Sequence, residues 1–251
     1  MKTVILVWKN HYTKHTCDDL FGLIRTTCFL YNLSLQMNFE LYVDFQHHSI
    51  SKCLPNPSHP YEEFILENKS QIPTIHDVDH YIRSSNSNVL FFYTKTYLFI
   101  NLYTDCKQFI RKILHPPEWL QLKIAPIHVH DILHIHLNNP IISTFKYPHL
   151  LYTVYEKIKP YLSPNIIILS DTYEIKEYIK TEYPECIAFD TLIGNIGFDP
   201  HDTAVHDTLF DLHLMAKAKQ IYSFSWSNTI PGFVKIMSLY NIPVYEIKID
   251  Q

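Results

Sequence analysis

The segment TVILVW, Thr3–Trp8, is a continuous apolar run rich in β-branched residues, and together with the two segments after it decides the fold. A run without polar alternation suits a strand covered on both faces. Next, DDLFGLIRTTCFLYNLSLQ sets Leu20, Leu23, Ile24, Cys28, Tyr31 and Leu35 at helical spacing, with Asp18 or Asp19 placed to cap its start. FELYVDF, Phe39–Phe45, is again strand-like. Strand, helix and strand in this order imply a parallel pair joined by a right-handed crossover.

The same rhythm continues. A Pro-rich loop (Leu54–Pro60) leads to a short helix expected at Tyr61–Glu67, then to the strand NVLFFYT and the amphipathic DCKQFIRKIL. HPPEWLQLKI opens a helix with proline at its first positions, where a missing N–H costs nothing. In the second half DILHIHL, NIIILS, CIAFD, QIYSFS and IPVYEI read as strands. YPHLLYTVYEKIKPYL, YEIKEYIKTEY, HDTLFDLHLMAKAK and IPGFVKIMSLY read as the helices between them. The fold class expected is α/β, with two tandem Rossmann-like domains of parallel sheet, residues 1–123 and 124–251, and a ligand cleft between them.

Composition narrows the function. The 251 residues are 47% hydrophobic and 18% charged with no low-complexity tract, as in a globular protein. A net charge of -4 without basic clusters argues against nucleic acid as a partner. No apolar run approaches a membrane span, and the N-terminus lacks the pattern of a signal peptide. Cys17, Cys28, Cys53, Cys106 and Cys186 are scattered and form no CxxC pair, so reduced thiols and a cytoplasmic location are expected.

In open parallel sheets, ligands sit beyond the carboxyl ends of the strands. That rule selects His134, His136 and Asn138 after one strand, Ser170 and Asp171 after another, and Ser223 to Ser227 after a third. Arg25, early in the first helix, could serve a diphosphate. Each has a plainer reading: a surface arginine, an N-cap aspartate, turn serines. The run HVHDILHIH (128–136) tempts a metal reading, but zinc needs about four converging ligands, and side chains along one extended strand diverge. With 16 histidines in the chain, clusters arise by chance, and no metal is expected. His47 and His48 read as loop residues, and Asp207 and Asp211 as acidic residues suited to a helix start.

The order of these segments resembles the fucosyltransferase superfamily, nucleotide-sugar enzymes of the GT-B architecture, over nearly the whole chain. DLFGLIRTTCFLYNLSLQMNFELYVDF resembles the family's opening, in which a G-x-G-D loop precedes an arginine. ILHIHLNN resembles the H-x-R-x-G-D motif that holds the donor's diphosphate, and IIILSD the strand whose last aspartate lies near the nucleoside. DTLFDLHLMAKAKQIYSFSWSNTIPGFVKI resembles the segment ending in S-G-F that closes over the nucleotide, and is the most specific of the four.

The departures bear on activity. Asp19, Leu20, Phe21 and Gly22 stand in the first glycine loop, though Arg25 is kept. His136 stands for the motif arginine, Asn138 and Asn139 for Gly-Asp, and Pro231 for the serine before Gly232 and Phe233. Arg offers a permanently charged fork, whereas His is charged only when protonated. A hydrogen bond to a charged group is worth about 1.5–3 kcal/mol, so the exchange would weaken donor binding about ten- to a hundredfold.

The resemblance implies metal-independent, inverting transfer of fucose or a related sugar from a nucleoside diphosphate sugar such as GDP-fucose to a glycan acceptor, with no cofactor. In that scheme Arg25 and His136 stabilise the leaving diphosphate and His134 orients the site. Asn138 and Ser225 add donor contacts, Asp171 meets the nucleoside, and Ser227, Gly232 and Phe233 close the pocket. The rival reading is a catalytically inactive pseudo-glycosyltransferase that keeps the fold as a binding or structural component with a protein partner.

Overall fold

The computed structural model describes residues 1–9, 20–55, 57, 75–93, 104–128, 131–137, 147–191, 202–226 and 231–248. It divides into two units, the first built on Met1–Pro117 and the second beginning at Glu118. The expected helix at 61–67 and the candidate residues Asn138 and Ser227 lie outside the described residues.

In the first unit, β1 (Thr3–Lys9) is followed by α1 (Leu20–Met37) and β2 (Glu40–His47). α2 (Ile75–Ser84), β3 (Val89–Tyr93) and α3 (Thr104–Ile113) complete it. The sheet order is β2-β1-β3, with both pairings parallel. Val4, Ile5, Leu6 and Trp8 are fully buried, as the apolar run requires of a central strand. The Trp8 indole N–H donates to Thr27 Oγ1 at 3.2 Å, fastening α1 to the strand it covers. The helix α2 was not expected from the sequence, although Ile75, Val78, Tyr81 and Ile82 recur in it at helical spacing.

The second unit opens with α4 (Glu118–Ile124), which starts after both Pro116 and Pro117 rather than enclosing them. Its C-terminal carbonyl at Ile124 and that of Ile127 accept from Lys217 Nζ at 3.0 and 3.2 Å. There follow β4 (Asp131–His136), α5 (Tyr147–Ile158), β5 (Ile167–Ser170), α6 (Tyr173–Glu182) and β6 (Ile187–Ala188). Then come α7 (Asp202–Met215), β7 (Gln220–Ser225), the one-turn α8 (Gly232–Lys235) and β8 (Val244–Ile247). Pro160 ends the regular helix of α5, which passes into a 3-10 turn at Lys159–Tyr161.

All four pairings of this five-stranded sheet are parallel, in the order β6-β5-β4-β7-β8. The chain therefore runs outward from β4 to β6 on one side, then returns to build β7 and β8 on the other. The order reverses at β4, and the crevice of such a sheet opens at the carboxyl end of that strand. Ile132, Leu133 and Ile135 in β4, and Ile167, Ile168 and Leu169 in β5, are fully buried. At about 1.5–3 kcal/mol for each buried side chain, this apolar centre holds the strand ends in register.

With only four glycines in the chain, left-handed turns fall to asparagine: Asn38 (φ 56°), Asn165 (φ 65°) and Asn241 (φ 59°). Asparagine tolerates that region because its short side chain can hydrogen-bond locally. Asn38 directly follows α1, and Asn241 ends the 3-10 turn after α8 with its N–H on Ser238 O.

Candidate functional site

The alternation of β4 places His134 and His136 on the same face, their rings 6.5 Å apart and nearly parallel at 14°. Their environments differ. His134 is 1% exposed, and its Nδ1 shares a hydrogen bond of 3.3 Å with Ser223 Oγ on β7. Burial, reinforced by the nearby His136 and opposed by Asp171, lowers the His134 pKa to about 3. It is a neutral ring in the folded protein, with Phe233 at 6.5 Å beside it. His134 thus shapes and supports the strand end and contributes no positive charge there.

His136 is the last residue of β4, with its side chain 35% exposed. Its Nδ1 lies 2.8 Å from Asp171 Oδ2. Asp171 is the first residue after β5, and its other oxygen accepts from the Leu137 N–H at 3.0 Å and from Thr172 Oγ1 at 3.1 Å. The carboxylate therefore bridges the ends of two neighbouring strands. The N-cap position of α6 belongs to Thr172, not Asp171. From the other side, the Trp226 N–H donates to the His136 carbonyl at 3.1 Å, and Ser225, 3% exposed, pairs with His136 across the β4–β7 ladder. Gly232 begins α8 directly after Pro231, whose carbonyl accepts from Val234 and Lys235 N–H at 3.1 and 3.2 Å.

Five of the candidate residues thus stand on connected elements at one end of this sheet: His134, His136, Asp171, Ser225 and Phe233, with Gly232 adjoining. Arg25 belongs to the first unit, on α1, where its guanidinium lies 5.4 Å over the Phe21 ring. Among the described residues, no three His, Cys, Asp or Glu side chains converge as a metal set. The described cysteines Cys28, Cys53, Cys106 and Cys186 are buried and form no disulfide. No described helix is long and apolar enough to cross a membrane.

Sequence reasoning missed two features. The first is Asp171 as the partner of His136: neighbouring parallel strands bring their ends together, but a sequence does not say which strands are neighbours. The second is a buried polar cluster behind the sheet. There the Lys176 ammonium donates to the carbonyls of Phe189 and Thr191, and Thr191 Oγ1 donates to Asp211 Oδ1 at 2.9 Å. Asp211 is fully buried, with no hydrogen-bond partner at Oδ2 among the described residues. Burial raises its pKa to about 7 against the opposing pull of Lys176 and Thr191.

Two Rossmann-like units, one with a polar strand end at its switch point, define a class of fold shared by many ligand-binding α/β proteins. Among solved structures, the chain is similar to NodZ, an alpha-1,6-fucosyltransferase. For NodZ co-crystallized with GDP the TM-score is 0.63 at 11% identity, over 98% of this chain and 94% of that one. The form soaked with GDP-fucose gives 0.61, and the Bradyrhizobium enzyme 0.62, with the same identity and coverage. The fold is therefore that of this fucosyltransferase. No family model and no curated protein matches the sequence.

Proposed function

We propose that the protein is a glycosyltransferase that takes a nucleoside diphosphate sugar, GDP-fucose or a close relative, as donor. One observation supports the reading above others: along nearly its whole length the chain shares the fold of an enzyme co-crystallized with GDP and soaked with GDP-fucose. The switch-point strand of the second unit also ends in a half-buried, carboxylate-paired histidine. In this reading the protonated His136 ring donates to the diphosphate and offsets the charge that grows on the leaving group. Ser225, Gly232 and Phe233 line the nucleotide. The acceptor is a glycan hydroxyl.

Thermal-shift measurements with GDP, UDP and GDP-fucose, each with and without EDTA, test the proposal. Stabilisation by GDP and GDP-fucose, unchanged by EDTA and lost in His136→Ala, is the expected result. A response to EDTA alone would direct attention to a metal instead. Binding of GDP-fucose without release of GDP in the presence of any glycan acceptor would favour the non-catalytic alternative, for which the exchanged arginine and Gly-Asp pair speak.

A further inference from the structure

The ring nitrogen of His136 that can face a ligand is decided by the group on the other nitrogen. Asp171 Oδ2 stands 2.8 Å from Nδ1. A carboxylate only accepts hydrogen bonds, so a proton belongs on Nδ1. The carboxylate is itself held on Oδ1 by the Leu137 N–H and the Thr172 hydroxyl, so it cannot swing away without breaking two further bonds. Its side chain is 13% exposed, whereas that of His136 is 35% exposed. The geometry is that of an oriented imidazole whose second nitrogen, Nε2, is left for other partners.

We propose that Asp171 is a positioning residue, which fixes His136 in the Nδ1–H form and presents Nε2 to an anionic ligand oxygen. Asp171 then serves not as a nucleoside contact but as a support for the histidine that replaces a motif arginine. A neutral Nε2 is a lone-pair acceptor and repels a phosphate oxygen. It becomes a donor only when the ring takes up a second proton, leaving an imidazolium between the Asp171 carboxylate and the diphosphate. Donor binding at this site is then coupled to proton uptake, which an arginine would not require. Two titratable groups face the ring among the described residues: Asp171 from the turn after β5, and His134 from β4 itself. The strand on the other side, β7, brings Ser225 and Trp226 alongside, and neither titrates near neutral pH. The ligand half of the proposal rests on the donor reading above; the tautomer does not.

Long-range proton–nitrogen NMR of the 15N-histidine-labelled full chain at pH 8, without ligand, reads the tautomer directly. The expected pattern for His136 is a protonated Nδ1 and an unprotonated Nε2, with that preference lost in Asp171→Asn and kept in Asp171→Glu. An Nε2–H pattern in the parent protein overturns the proposal even if Asp171→Asn fails to fold. GDP titrations at pH 7.5 in two buffers of different ionisation enthalpy then measure proton uptake. Uptake of a fraction of a proton is expected for the parent and none for His136→Gln, with GDP binding about tenfold weaker in Asp171→Asn, as for other groups that orient a ligating histidine. GDP binding equal in affinity and proton uptake in the parent and Asp171→Asn overturns the positioning role. No GDP binding at all, with the Nδ1–H form present, overturns the donor reading while leaving the tautomer assignment supported.

Discussion

Lowering the pH should remove the contribution that one buried ring, His134, makes to the stability of the second unit, an effect opposite in sign to that of Asp211 and read as the difference between the parent and a His134 variant. Its pKa falls from an ordinary 6.5 to about 3 because the imidazole is 1% exposed beside His136. The unfolded chain takes up this proton below pH 6.5, and the folded chain does not until about pH 3. Stability is therefore fully present above pH 6.5 and is lost as the pH falls toward 3. At pH 4.5 the unfolded form of this residue is about a hundredfold favoured by protonation and the folded form hardly at all. The loss relative to pH 7 is about 2–3 kcal/mol. His48, buried and lowered to about 4, acts in the same direction in the first unit. Urea denaturation at pH 7.0, 5.5 and 4.5, followed for the parent and for His134→Gln, checks the figure. Gln does not titrate, so the variant should lose about 2–3 kcal/mol less than the parent between pH 7 and 4.5. Equal losses in both proteins, or an NMR titration placing His134 near 6.5, would overturn this pH dependence.

Three further outcomes are expected. His136→Arg places a permanently charged fork at the end of β4, and GDP should bind about ten- to a hundredfold more tightly by calorimetry, with less dependence on pH. Asp211, raised from 3.8 to about 7, holds a proton in the folded state that the unfolded chain releases, so its contribution is present at low pH and lost as the pH rises through 7. The stability of Asp211→Asn relative to the parent should therefore improve by up to about 4 kcal/mol between pH 4 and pH 8, read from denaturation curves at each pH. Thr27→Val removes the acceptor of the buried Trp8 indole N–H and should cost about 1–3 kcal/mol in the first unit, measured by the same curves.

The legible parts of the fold were those set by local pattern. Apolar runs such as TVILVW, IIIL and DILHIH became the described strands β1, β5 and β4, because a strand buried on both faces has no polar alternation to disguise it. Helical spacing gave α1, α6 and α7. Two local features departed from expectation: α2, despite the helical spacing of Ile75, Val78, Tyr81 and Ile82, and α4, which begins past its prolines. The strand-end rule drew attention to His136 and Asp171 separately, since each lies at the end of an apolar strand. Their pairing depended on β4 lying next to β5, a non-local fact carried by the sheet order. The same holds for His134, whose neutral state comes first from burial in the sheet beside β7, with His136 of the same HIH run adding to it.

Calorimetric titration of the full chain with GDP-fucose, in the presence of EDTA, puts the donor site to its sharpest test. Saturable one-to-one binding that His136→Ala weakens at least tenfold is the expected result. No binding at millimolar donor, or binding that His136→Ala leaves untouched, would rule the site out.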